Sequence, residues 1–117
     1  MAPPAEHPFS ILVVDDEADN RTILKSQLEK VPHSALTVDV ASDGDEALKK
    51  LREGLFDLVF LDYRLPSGDG LEVLDKIRQH HPKTAVVMTT AEYILRAAVV
   101  GGIAAAVRFA LYRWWRR

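Results

Sequence analysis

Cysteine is absent from the 117 residues, which excludes disulfides, thiol catalysis and cysteine-built zinc sites. A strong excess of either charge is absent too. The formal net charge of −2 at pH 7 gives no nucleic-acid-binding surface and little to attract acidic partners. No apolar run reaches membrane length: Ala97 to Val107 is eleven residues without charge, short of the 17–25 or so that span a bilayer. Residues 1–10 are Pro-rich, carry Glu6 and lack Lys and Arg, so they lack the basic start and apolar stretch of a secretory signal. They are expected to be a short disordered leader on a cytoplasmic chain. No internal repeat is visible. What remains, 48% hydrophobic and 27% charged residues, suits one soluble globular domain over 11–117 with a single core.

Hydrophobic patterning alternates between strand and helix. Ile11 to Val14 is an apolar, β-branched run, the mark of a strand buried on both faces. It ends at Asp15, Asp16 and Glu17. Ala18 to about Lys30 reads as a helix, with Ile23, Leu24 and Leu28 at helical spacing and Val31-Pro32 closing it. Leu36 to Val40 alternates like a short strand. Ser42, with Asp45 three residues on, is expected to cap a helix that carries Ala47, Leu48 and Leu51 toward Glu53, and Gly54 breaks it. Leu58 to Leu61 is a second apolar strand ending at Asp62. Pro66 to Gly70 reads as a loop, Leu71 to Ile77 as a helix stopping at His80-His81-Pro82, and Ala85 to Met88 as a third apolar strand ending at Thr89 and Thr90.

Such short alternation implies βαβ units and a parallel sheet. Right-handed crossovers bring every strand's carboxyl end to one edge, where open α/β sheets bind ligands. Asp15, Asp16, Asp62 and Thr90 all fall there. Three gathered carboxylates repel one another, and a hard divalent ion such as Mg²⁺ relieves that repulsion through oxygen ligands. The same ion offsets charge in phosphoryl transfer, an aspartate can itself accept the group, and a Thr90 hydroxyl can hydrogen-bond it. Plainer roles exist for each residue alone: Asp15 and Asp16 as helix caps, Asp62 as a turn residue, Thr90 as a cap. A metal-dependent phosphatase would use the same acids and Mg²⁺, but the sequence offers no obvious second acid/base.

Ile11-Leu-Val-Val-Asp-Asp-Glu17, Ala41-Ser-Asp-Gly-Asp-Glu-Ala-Leu48, Leu58-Val-Phe-Leu-Asp-Tyr-Arg-Leu-Pro66 with Gly68-Asp-Gly-Leu71, and Val86-Val-Met-Thr-Thr-Ala91 resemble, in order, the motifs of bacterial response-regulator receiver domains. The resemblance implies a flavodoxin-like, doubly wound α/β fold with a five-stranded parallel sheet in the order 2-1-3-4-5. It implies that Asp15 and Asp16 hold Mg²⁺, Asp16 being the direct contact of the pair. Asp62 would be metal ligand and phosphoacceptor, the backbone carbonyl of Arg64 a further ligand, and Thr90 the switch hydroxyl. The partners implied are a histidine kinase or phosphotransfer protein and an unidentified downstream protein. Apart from accepting and losing its own phosphoryl group, the chain would not be an enzyme.

The family pattern then runs through a helix and a Gly-Ala turn to a fifth strand ending in an aromatic and Lys-Pro. Here no lysine follows Lys83. Gly101-Gly102 fits the turn and Ile103 to Val107 the strand, which sets Arg108 in the place of the phosphoryl-contacting lysine and Ala105 in that of the aromatic. A second register, Leu111-Tyr112-Arg113, makes Arg113 the substitute. Residues 91–117 are thus atypical, with the fifth strand and last helix abbreviated or rearranged. In another reading, Glu92 to Trp115 is one long helix with Ala98, Gly102, Ala106 and Ala110 at four-residue spacing, suited to a homodimer. The alternative function is a degenerate, unphosphorylated receiver that dimerises or docks through this segment.

Overall fold

Phe9–Val14 forms β1, the strand around which the fold is arranged. The structure is a computed structural model that describes residues 9–30, 36–65 and 68–89. After β1 come α1 (Ala18–Glu29), β2 (Leu36–Ala41), α2 (Gly44–Glu53) and β3 (Leu58–Asp62). A small antiparallel ribbon of β4 (Arg64–Leu65) and β5 (Gly68–Asp69) leads into α3 (Gly70–His80) and β6 (Ala85–Thr89). Among the described residues the main sheet is four-stranded and parallel throughout, in the order β2-β1-β3-β6. It is the doubly wound α/β order expected, as far as its fourth strand. The expected fifth strand, like Thr90, Arg108 and Arg113, lies outside the described residues.

The apolar runs of β1 and β3 are explained by burial on both faces. Ile11, Val13 and Phe60 pack with Leu24 and Leu28 of α1 on one side. Leu12, Val14, Val59 and Leu61 pack with Ala47 and Leu51 of α2 and Val73 and Ile77 of α3 on the other. Each of these side chains larger than alanine contributes about 1.5–3 kcal/mol by leaving water. Among the described residues no helix is long and apolar enough to cross a membrane.

Three expectations need correction. The leader does not extend to residue 10, because Phe9 and Ser10 belong to β1 and Phe9 is 1% exposed. Phe9 pairs with Leu36, and the buried Asp57 accepts a hydrogen bond from the Ser10 N–H at 2.9 Å, so core and backbone partners both hold the two residues. The cap of α2 is Asp43 and not Ser42: Asp43 Oδ1 accepts from the Glu46 N–H at 2.8 Å, while the Ser42 hydroxyl donates to the Glu46 carboxylate at 3.3 Å. The segment expected as a loop after Asp62 contains β5, and Asp69 at its end caps α3 by accepting from the Glu72 N–H.

Candidate functional site

The sheet register sets the site. Val14 of β1 lies opposite Leu61 of β3, so Asp15 and Asp62 are the next residues at the carboxyl edge. Asp62 in turn lies opposite Thr89 of β6. Asp15, Asp16 and Asp62 converge there, with one carboxylate oxygen from each within 4.8 Å of the others. Asp15 is 1% exposed and Asp62 7%, whereas Asp16 faces solvent.

Local backbone contacts hold each acid. The Asp15 N–H donates to the Ala41 carbonyl at 3.1 Å, and Asp15 Oδ1 accepts from the Glu17 N–H at 2.9 Å. Asp62 Oδ1 accepts from the Arg64 N–H at 3.1 Å. The Tyr63 N–H donates to the Thr89 carbonyl, and the Tyr63 carbonyl accepts from the Gly70 N–H at 2.6 Å. A side chain at position 70 would collide with the Asp62 carbonyl oxygen, so glycine there lets α3 start against the Asp62 backbone. Asp15 and Asp16 do not cap α1. Its cap position is Glu17, which makes no side-chain capping bond. The plainer reading of the acidic pair is thereby removed.

Asp15 Oδ2 is buried and has no hydrogen-bond partner. An unpartnered carboxylate oxygen in a low-dielectric site is costly, and a cation is the natural way to satisfy it. Burial pushes the Asp15 carboxyl above the usual carboxylate range, the charges of Asp62 and Asp16 add to the rise, and the Glu17 N–H opposes it. Burial likewise raises Asp62, aided by Asp16 and opposed by the Arg64 N–H. This donor set of hard oxygens, one of them orphaned, fits a divalent cation of the Mg²⁺ type.

Arg21 was not anticipated from the sequence. From α1 its Nη1 donates to the Asp15 carbonyl at 2.8 Å, fixing the backbone on which the acidic pair sits. The available signal was an arginine near a helix N-terminus, where the helix dipole disfavours positive charge. Thr90 and Arg108 lie outside the described residues, whereas Arg64 is exposed with its N–H on Asp62.

Comparison with known proteins identifies the family of the fold. The family profile described as "Response regulator receiver domain" matches residues 11–109. The transcriptional regulatory protein ResD of Bacillus subtilis is 43% identical over 82 residues, which are 70% of this chain and 32% of ResD. The chain thus spans about a third of that relative. The response regulator TrrA of Thermotoga maritima, in complex with Mg(2+)-BeF, superposes with a TM-score of 0.65 at 41% identity, covering 71% of this chain and 70% of TrrA. A crystal structure of histidine kinase ThkA in complex with TrrA gives a TM-score of 0.64 at 41% identity, covering 71% of this chain and 69% of that one.

Proposed function

Since the chain belongs to the response-regulator receiver domain family, we propose that Asp62 accepts a phosphoryl group from a histidine kinase or phosphotransfer protein in a cytoplasmic two-component relay. The observation that carries this is the orphaned, buried Asp15 Oδ2 beside the Asp16 and Asp62 carboxylates. Asp15, Asp16, Asp62 and the backbone carbonyl of Arg64 would hold Mg²⁺. When bound, the ion offsets charge on the phosphoryl oxygens.

The chain's own groups do the rest. With Oδ1 engaged by the Arg64 N–H, Oδ2 of Asp62 forms the new P–O bond while the donor's P–N bond to histidine breaks, or its P–O bond in an acyl phosphate. The donor keeps the electron pair of the broken bond. The N–H of Arg64 and the fixed Tyr63 backbone hold the carboxylate in place, so little reorganisation is needed. The Thr90 hydroxyl would hydrogen-bond the phosphoryl oxygens and Arg108 would supply the cationic contact, with Arg113 as its competitor. The added charge of about −1.5 to −2 is the input that changes the surface a downstream protein reads. TrrA crystallised with Mg(2+)-BeF and with a kinase supports both the ion and the donor.

Incubation with acetyl phosphate and Mg²⁺ should add one phosphoryl group by intact mass, labile to hydroxylamine. Asp62→Asn and EDTA should each abolish it. A chain that never gains the mass from acetyl phosphate or from a phosphorylated kinase returns the degenerate, unphosphorylated receiver as the better account.

A further inference from the structure

α2 and α3 lie on the same face of the sheet. In a parallel sheet both start at the carboxyl edge and run back toward the opposite one. Between them opens a cavity of about 550 Å³ lined by Asp45, Leu48, Arg52, Lys76, His80 and His81, within the ~300–1,000 Å³ range of ligand clefts. A second cavity of about 330 Å³ shares Arg52 and His81 with it and continues past Leu55 and Phe56. The two meet at Arg52 and His81, toward the pole away from the acid site, and the cleft they make runs along α2 as far as Asp45 in its first turn.

Four basic or potentially basic side chains meet there, and they are uncommitted. Among the described residues Arg52, Lys76, His80 and His81 make no side-chain hydrogen bond or ion pair. Lys50, by contrast, is engaged by Asp39 at 2.9 Å and the Val40 carbonyl at 2.6 Å. Offsetting the helix dipoles accounts for Arg52 and His80 in their last turns. The same holds for His81, the C-cap of α3, but not for Lys76 in mid-helix. Two acids line the cleft as well. Asp45 stands two helical turns from Arg52, roughly 10 Å along the axis, and Glu53 is exposed to solvent. Arg52 and Lys76 are thus matched in number by Asp45 and Glu53, and the positive character is confined to the end where Arg52, Lys76, His80 and His81 meet, on a chain that carries −2 as a whole. Leu55, at the mouth, is 72% exposed, the most exposed large hydrophobic among the described residues.

We propose that this cleft docks an acidic, aliphatic-rich segment of a partner protein. Its carboxylates meet Arg52, Lys76, His80 and His81, and an apolar side chain rests on Leu55 and Phe56. A protein segment fits better than a small anion because the cleft continues from its basic end onto an exposed leucine that a small anion cannot use. The site is independent of phosphorylation at Asp62.

The test is fluorescence anisotropy of a labelled peptide of repeated Glu-Glu-Leu-Leu units titrated with the full chain. Saturable binding is expected, weakened about tenfold by Arg52→Glu with Lys76→Glu, which corresponds to about 1.4 kcal/mol. Leu55→Ser, at an exposed position that leaves the core intact, should weaken it severalfold. A peptide with lysine in place of glutamate should not bind. Unchanged affinity in the charge-reversed and serine variants, or no saturable binding at all, overturns the proposal. Displacement by millimolar inorganic phosphate at constant ionic strength also overturns it, by making the cleft a small-anion site.

Discussion

Asp15 and Asp62 are held in a protonation balance that a cation would reset. Both carboxyls are raised above the ordinary range, first by burial and then by neighbouring acids. Without metal the folded state therefore binds more protons than the unfolded state, and these two groups lower stability as pH rises from the ordinary carboxylate value through their raised ones. Asp39 works in the opposite sense: burial pushes its carboxyl up, but the Lys50 ammonium and the Val40 N–H bring it below the usual range. The informative quantity is therefore the gain in Tm from Mg²⁺, which should grow as pH rises through that window and vanish on acidification below it. Asp62→Asn removes one charge of the cluster and should stabilise the metal-free protein by about 1–3 kcal/mol, raising Tm by at least about 4 °C, while blunting the Mg²⁺ response. A Mg²⁺ gain that is flat with pH would show that the acids do not bind the ion. Arg21 acts one step back. Arg21→Ala loses the 2.8 Å bond to the Asp15 carbonyl and should weaken Mg²⁺ binding about 10–100-fold by calorimetric titration, as loss of an outer-shell partner does; an unchanged affinity would make Arg21 a surface residue only.

At the scale of elements, the helix starts divide by task. α2 and α3 begin with an aspartate whose side chain accepts from the N–H three residues on, Asp43 from Glu46 and Asp69 from Glu72. α1 begins without such a bond, and the carboxylates just before it are turned to the acid cluster instead. Asp43→Ala should cost about 1 kcal/mol in urea unfolding, whereas Ser42→Ala should cost under about 0.5 kcal/mol. The reverse order would restore Ser42 as the cap. This case shows where the sequence was legible and where it was not. The apolar runs of β1 and β3 and the spacing of Leu24 and Leu28 carried their signal because burial on two faces, or on one stripe, leaves a pattern. The acid trio was legible because parallel strands must deliver their ends to one edge. Ser42 and Asp43 are adjacent capping residues, and only the direction of the Glu46 N–H chooses between them. The hydrogen bond of Arg21 and the close approach at Gly70 depend on tertiary placement that no periodicity encodes.

For the whole molecule, β1 ties the two poles together. It carries Phe9 at one end and runs into Asp15 at the other, about 20 Å apart at some 3.3 Å per residue. The family profile begins at residue 11, yet Phe9 packs in the core with Leu24, Leu28 and Phe60. Beside it, Ser10 exchanges two backbone-borne hydrogen bonds with Asp57: the Asp57 carboxylate accepts from the Ser10 N–H, and the Asp57 N–H donates to the Ser10 carbonyl at 2.8 Å. The sheet therefore includes two residues ahead of the profile's first match. Phe9→Ala should cost about 3–5 kcal/mol through lost burial and the cavity left behind, lowering Tm by more than about 10 °C. Because this cavity lies at the pole opposite the acids, the folded fraction should still take phosphate from acetyl phosphate at the wild-type rate when assayed well below Tm. A chain beginning at Ile11 loses the same ring and the Ser10–Asp57 pair together, so it should be at least as unstable as the point variant. Equal Tm values for the wild type and the chain starting at Ile11 would show that Phe9 and Ser10 add nothing to stability. A loss of phosphorylation rate in fully folded Phe9→Ala would instead mean that the two ends of β1 are mechanically coupled.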